Sequence, residues 1–515
     1  MNGAESLVRT LIASDVNVCF ANPGTSEMHF VAALDRVEGI RCVLGLFEGV
    51  VTGAADTYYR LAEKPASTLL HLGPGLGNGI SNLHNAKKAR SGIVNIVGEH
   101  AGYHIKHDAP LTADIEGIAR PVSHWLKTSP DARSVAGDGA AAVEAARTPP
   151  GCIATLILPA DTAWGEADGP VTARPPVPRR RVGSDAIQAG ARALRAGSGA
   201  AILLGGAALR GRALEMAGRI AARTGCKLFS EFNTARGECG AGRVHAPRLP
   251  FVVDQALAAL AGTRELVLVG AKTPVSFFAY PGKPSVLVPE GCNVTEVADV
   301  GTDLLHALEA LADELGATRT APAGICVYEP PQAPTGEPTP DGVCAVLGAL
   351  LPENAIVCDE GITTGRNIGR FLESAAPHDF LSIMGGSIGW GLPAGLGAAL
   401  AAPDRKVFVL EGDGSAMYTH QALWTMAREN LDVTMLICAN RSYRILEHEF
   451  KNVGAGQPGV RARDMLTLDR PYPDWLALAR GFGVEAGRAS SLEELARELK
   501  HGFAASGPYL IELLM

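Results

Sequence analysis

The 515-residue sequence predicts an α/β protein made of three consecutive parallel-sheet domains. Two observations predict it. Short runs rich in β-branched residues alternate with Ala/Leu-rich runs along the whole chain, as strands do when a helix must carry the chain back to a parallel neighbour. Two proline-rich stretches poor in large apolar residues, "DGPVTARPPVPRRR" (Asp168 to Arg181) and "YEPPQAPTGEPTPDG" (Tyr328 to Gly342), read as linkers. They divide the chain into 1–167, 182–327 and 341–515.

The expected strands follow in order. In the first segment they are "VCFANPG", "RCVLGLF", "STLLHLG" and "GIVNIVG"; in the second, "AILLGG", "KLFSEF", "ELVLVG" and "SVLVP". In the third they are "AIVCDEG", "KVFVLEGDG", "VTMLICANRS" and "YLIELL". Each of the informative loops, "NPGTSE", "HLGPGLGN", "GDGS" and "NRS", lies at a strand's carboxyl end, where parallel α/β sheets bind ligands.

Composition narrows the function. The chain is 47% hydrophobic, with 60 Gly and 33 Pro, which describes a loop-rich globular protein with ample core. A net charge of -8 without a long basic run argues against a nucleic-acid surface. None of the 10 cysteines forms a CxxC pair and most sit in apolar runs, which fits reduced thiols in a cytoplasmic protein better than disulfides or zinc. The start, "MNGAESLVRTL", lacks an apolar signal core. Phe380 to Pro403 carries no Asp, Glu, Lys or Arg over a length that could cross a bilayer. Its glycines and prolines read instead as a buried loop entering a core helix, so no membrane partner is expected.

The run "VLEGDGSAMYTHQALW" (Val409 to Trp424) ends an apolar strand on an acidic glycine loop. A phosphate alone would prefer amide donors and a lysine there; a carboxylate implies a metal between protein and phosphate. Asp413 is followed by a helix, a strand and Asn440, one crossover that puts both residues at neighbouring strand ends. A carboxylate, an amide oxygen and a backbone carbonyl are hard ligands suited to Mg²⁺, which completes its shell with phosphate and water. Glycines and a helix N-terminus let backbone N–H groups reach phosphate oxygens.

This arrangement resembles the diphosphate motif of thiamine-diphosphate enzymes. The resemblance implies that Asp413, Asn440 and the Ser442 carbonyl bind Mg²⁺, with Gly412, Gly414, Ser415 and Tyr443 around the diphosphate. It also implies a glutamate that activates the aminopyrimidine ring; Glu48 in "LGLFEGVVTGAADTYYR" stands alone among apolar residues. "MGGSIGWGLPAG" is similar to the family's cofactor-bending loop, so Gly386, Ser387 and Ile388 are expected there. In "DEGITTGRN", Thr363 and Thr364 are candidate diphosphate donors. The order of these motifs resembles the pyruvate oxidase, acetolactate synthase and benzoylformate decarboxylase branch. It implies a pyrimidine-binding domain (1–167), a central domain (182–327) and a diphosphate-binding domain (341–515). It further implies a dimer or tetramer with active sites shared between subunits.

For the reaction, "LLHLGPGLGN" places His71 as benzoylformate decarboxylase places a catalytic histidine, and "NPGTSE" offers Thr25 and Ser26 to a substrate carboxylate. That enzyme's second histidine is missing: the matching stretch, "GAKTPVSFFAYPGKP", carries Phe277, Phe278 and Tyr280. In "GEHAGYHIKHDAP", His100, His104 and His107 are candidates to replace it. The expected activity is non-oxidative decarboxylation of a 2-oxo acid, with carboligation as a possible second outcome. The alternative is an acetolactate synthase-type carboligase, which "DIEGIARPVSHW" resembles. That enzyme's flavin-contacting stretch is replaced by "GAKTPVSF", so no FAD is expected. A remoter reading, resting on "GGAALRG", is a dinucleotide-binding or non-catalytic protein.

Overall fold

The computed structural model describes all residues, 1–515. The first segment folds into strands β1 (Val18–Asn22), β2 (Arg41–Leu44), β3 (Ala66–Leu70), β4 (Ile93–Glu99), β5 (Trp125–Thr128) and β6 (Ile153–Pro159). They form one parallel sheet in the order β2-β1-β3-β4-β6-β5. Its central strands β3, β4 and β6 are buried at every residue, which is why they read as continuous apolar runs. The second segment supplies β7 (Ala200–Leu204), β8 (Lys227–Ser230), β9 (Gly237–Cys239), β10 (Glu265–Val269) and β11 (Asn293–Ala298). Four of these make a parallel sheet, β11-β10-β7-β8. The third contains β12 (Ala355–Asp359), β13 (His378–Ser382), β14 (Val407–Gly412), β15 (Val433–Ala439), β16 (Glu485–Ala489) and β17 (Tyr509–Leu514). Its sheet runs β16-β17-β15-β14-β12-β13-β9, parallel except for the last pair. The protein is therefore an α/β chain with three parallel-sheet domains.

Several details depart from the sequence-based expectation: β5, β6, β13 and β16 are strands that it does not include. "SVLVP" forms no strand. Prolines at 284 and 289 flank it, and a single antiparallel bridge ties Val286 to Val275; the fourth strand of that sheet is β11. The short β9 leaves its own segment and pairs with β13 of the next.

The uncharged stretch after Phe380 has its explanation in the helix Gly391–Ala401, which packs on the helix Glu48–Ala62. A Cβ at Gly397 would lie 2.1 Å from the Ala54 carbonyl oxygen, and one at Gly53 would lie 2.6 Å from Pro393. Glycine is required for the two backbones to come this close. One apolar core of 46 residues runs through both domains, including Val50, Ala54, Leu392 and Leu396. No helix is long and apolar enough to cross a membrane.

A buried polar network pins the same interface. Arg60 forms a two-pronged ion pair with Asp56, at 3.0 and 2.5 Å, and donates to the Ser382 carbonyl. Trp390 Nε1 donates to the second Asp56 oxygen at 2.9 Å, and Ser91 donates to the first. Removing one partner of a buried pair strands the other charge, which costs about 3–5 kcal/mol. Asp56→Ala is expected to lose about that much in urea denaturation. A loss under ~1 kcal/mol, the range of an exposed pair, would show that the network does not hold the domains together.

Candidate active site

At the end of β1, the loop through Gly24 turns into the short helix Thr25–Glu27. Glu27 is buried, accepts the Gly24 N–H at 2.7 Å and meets His71 Nδ1 at 2.8 Å. Burial raises the Glu27 carboxyl, and its bonds to Gly24 and His71 pull it back. Glycine is essential on both sides of this pair: a Cβ at Gly24 would strike the imidazole at 2.2 Å, and one at Gly98 would strike Glu27 Oε1 at 1.6 Å. His71 caps the helix Leu72–Ala89, and Leu72 takes a left-handed φ of 48° to bring the chain round. Thr25 is exposed and Ser26 half-buried on the loop that abuts His71.

Glu48 starts its helix 7% exposed and accepts a hydrogen bond from Asn78 at 2.9 Å. A Cβ at Gly75 would touch Glu48 Oε1 at 3.0 Å and His71 Cβ at 3.4 Å, so Gly75 separates the two by one residue's width. One turn further along that helix, the Asn82 amide donates to the Gly49 carbonyl at 2.8 Å and to the Gly389 carbonyl at 3.1 Å. Asn85 both donates to the Ser387 carbonyl (2.8 Å) and accepts the Ser387 N–H (3.2 Å). The helix thus carries His71 at its start, holds Glu48 through Asn78, and fastens the loop of Gly386, Ser387 and Ile388. Gly386 has φ 72°, and a Cβ there would lie 2.5 Å from the ring of Phe277.

On the other side lies the acidic loop. Gly412 pairs with Cys438 in register, so Asp413 and Asn440 leave adjacent strands side by side. Asp413 is buried and accepts the N–H groups of Arg441 (2.7 Å) and Gly414 (3.0 Å). Burial raises its carboxyl above the usual range, against those bonds; a cation here would offset that burial. Asn440 Oδ1 accepts the Ser442 N–H, and the Ser442 hydroxyl donates to Glu447. The Tyr443 ring covers Gly414, where a Cβ would approach it to 2.6 Å. No set of three or more His, Cys, Asp or Glu side chains forms a metal cage. An Asp–Asn pair whose oxygens each keep a lone pair beyond these N–H bonds suits a cation that keeps water and phosphate in its shell, as Mg²⁺ does. The residues present therefore fit both Mg²⁺ and a diphosphate.

Glu411 is not part of that ligand set. It is fully buried close to Glu360, which accepts the N–H groups of Gly389 (2.7 Å), Trp390 (2.7 Å) and Gly391 (2.5 Å). Burial raises both carboxyls. Glu411 goes further up because the charge on Glu360 repels its own. The three N–H donors favour the charged form of Glu360 and partly offset its burial; Glu411 has no such set of donors. Ser415 donates to Glu411 at 2.5 Å. The two residues clamp the cofactor-loop turn.

Other expected residues divide. Thr363 is half-buried at the loop surface, while the Thr364 hydroxyl is buried against Met515 sulfur at 3.8 Å. His100, His104 and His107 stack with ring centres 5.5 and 5.7 Å apart on the loop after β4, with His104 and His107 exposed. No hydrogen bond ties either to His71. Glu27, Asn78, Asn82, Asn85 and Glu360 were missed by sequence reasoning. Glu27, Asn78 and Glu360 had a local signal, inside the quoted "NPGTSE", "HLGPGLGN" and "DEGITTGRN" runs; Asn82 and Asn85 had none.

These features coincide with comparisons to known proteins. Residues 1–118 match the thiamine pyrophosphate enzyme N-terminal TPP-binding domain, and residues 363–513 match its C-terminal TPP-binding domain. The chain belongs to the thiamine pyrophosphate enzyme family. It is 50% identical to a Mycobacterium tuberculosis protein provisionally named acetolactate synthase large subunit IlvX, over 100% of this chain and 99% of that one. It is 30% identical to benzoylformate decarboxylase of Pseudomonas aeruginosa, over 96% and 95% of the two chains. The structure resembles Rhodococcus jostii RHA1 thiamine diphosphate-dependent 4-hydroxybenzoylformate decarboxylase with a TM-score of 0.85 at 25% identity, covering 99% of this chain and 98% of that one.

Asp413→Ala and Asn440→Ala are expected to purify folded but without thiamine diphosphate, as mass spectrometry of released cofactor would show. Full retention in Asp413→Ala would remove that carboxylate from the metal site.

Proposed function

We propose that this protein is a thiamine-diphosphate- and Mg²⁺-dependent enzyme that removes CO₂ from a 2-oxo acid and transfers the remaining acyl unit to a second carbonyl, as an acetolactate synthase-type carboligase does. Bound thiamine diphosphate supplies a nucleophilic ring carbon and an electron sink for the departing carboxylate's pair. Asp413, Asn440 and the Ser442 carbonyl would hold the metal. Gly412, Gly414, Ser415, Tyr443 and Thr363 would line the diphosphate. Glu48 would exchange a proton with the aminopyrimidine, opposite the loop of Gly386, Ser387 and Ile388. Thr25 and Ser26 would meet the substrate carboxylate.

The observation that carries this reading is Phe277. Its ring packs against Gly386 where the decarboxylase-like expectation asks for a histidine. An apolar ring donates no proton and excludes water, which favours a second carbonyl over protonation as the end of the reaction. The relative at 50% identity, provisionally named a synthase, supports the same choice. Non-oxidative decarboxylation is the second reading, favoured by one specific feature: the His71–Glu27 pair, an imidazole oriented by a carboxylate as acid–base groups are.

We further propose that the site is completed by a second copy of the chain. Pro74, Gly77 and Asn78 beside Glu48 are exposed, as are Gly386 and Tyr418 near the acidic loop, and no hydrogen bond joins Glu48 to the Asp413 set. Glu48→Gln, which removes a proton transfer worth about 10²–10⁴ in rate, and Asp413→Ala are each expected to be inactive. Mixed after subunit exchange, they should regain part of the activity. Exchange seen by mass spectrometry with no recovery would contradict a shared site.

The two fates separate on products from one accepted 2-oxo acid. Wild type is expected to give mainly hydroxyketone or acetohydroxy acid, and His71→Ala to reduce aldehyde release further. Aldehyde as the sole wild-type product would promote the decarboxylase reading.

A further inference from the structure

Away from this site, a cavity of about 400 Å³ opens at the seam between the central segment and the third domain. Its size falls in the range of small-molecule sites, roughly 300–1,000 Å³. Phe232, Phe251 and Phe380 give it flat apolar walls, and Arg248, Arg366 and Arg370 bring positive charge. Most of its other charges are balanced: His245 meets Glu373 at 3.1 Å, Arg248 reaches Asp359 at 3.9 Å, and Glu238 reaches Arg243 at 3.5 Å. Arg366 and Arg370 differ. They stand one turn apart over the rings of Phe251 (5.4 Å) and Phe371 (5.8 Å), with no carboxylate partner.

A second observation points to a ligand. His378, 4% exposed, lines the cavity. Its Nδ1 lies 2.8 Å from the Ala376 carbonyl, which can only accept, so Nδ1 carries the proton. Its Nε2 is buried and has no partner. Burial lowers the ring's proton affinity and keeps it neutral. Nε2 therefore presents a lone pair with nothing to receive, and buried acceptors in native structures are nearly always satisfied.

We propose that this cavity binds a small organic anion with a flat ring bearing an N–H donor: the anionic group on Arg366 and Arg370, the ring against Phe232 and Phe251, and the N–H to His378 Nε2. Guanidinium pairs recognise carboxylate and phosphate alike through charge-assisted bonds. Two sources share this chemistry, a purine mononucleotide and an aromatic amino acid with a ring N–H. The proposal does not depend on which reaction the enzyme catalyses.

The test is calorimetric titration of the holoenzyme with adenosine 5′-phosphate and, separately, with L-tryptophan. At least one is expected to bind with one site per chain. The Arg366→Ala/Arg370→Ala double variant, altered only at exposed positions, should weaken that ligand by about tenfold or more with an unchanged thermal midpoint. His378→Phe, which keeps the ring's volume, should weaken it as well. The proposal is overturned if neither probe binds at millimolar concentration, or if the bound probe's affinity is the same in the double variant or in His378→Phe.

Discussion

One side-chain amide ties the two halves of the molecule's chemistry together. Asn82 donates from the middle of the helix Leu72–Ala89 to the Gly49 carbonyl and the Gly389 carbonyl. The first acceptor belongs to the helix that Glu48 begins, the second to the loop of Gly386, Ser387 and Ile388. Asn78 and Asn85, on the same helix, hold the Glu48 carboxylate and Ser387. A rigid helix with a rise of ~1.5 Å per residue therefore fixes where Glu48 and the loop of Gly386, Ser387 and Ile388 stand relative to each other within one chain. His71, at its N-terminal end, takes its place from the same element. Positioning of this kind supplies much of an enzyme's rate, because misplacement by about an ångström can cost ~10²-fold.

The acidic side of the site answers to burial. Four carboxyls crowd the ends of β12 and β14; Asp359 faces Arg248, and the other three are each handled differently. Glu360 is met by three backbone N–H groups, Glu411 is pushed well up by burial and by the charge on Glu360, and Asp413 has two N–H donors and a raised carboxyl. Only the last has reason to recruit a cation. Two acidic residues two positions apart in one sequence run thus meet different surroundings, Glu411 enclosed beside Glu360 and Asp413 opening toward the Asn440 loop.

The juxtaposition of Asp413 and Asn440 was legible in the sequence because its logic is local. Asp413 and Asn440 are one strand-helix-strand crossover apart, and that spacing alone puts them on neighbouring strands. Glu48 stood out as a lone carboxylate after an apolar strand, and the structure buries it at a helix start. The uncharged stretch after Phe380 was correctly read as loop and core helix, since its small residues face the Glu48 helix. The bridging role of Asn82 was not legible: its partners lie 33 and 307 residues away. The Glu360–Glu411 pair was hidden for the same reason, as was the pairing of Glu27 with His71 across 44 residues. "SVLVP" misled because its apolar pattern fits a strand while its flanking prolines cannot join a ladder. The stretch from Phe277 to Tyr280 was equally readable as core or pocket wall. Its exposure, 43% at Phe277 and 51% at Phe278, and its contact with Gly386 favour the pocket.

The central claim is that Asp413 and Asn440 bind thiamine diphosphate through Mg²⁺. It is tested most directly by titrating cofactor-free wild-type protein with thiamine diphosphate by calorimetry, once with Mg²⁺ and once with EDTA. The account predicts saturable binding with Mg²⁺, approaching one cofactor per chain, and its loss in EDTA. Equal binding in both, or none in either, would contradict it.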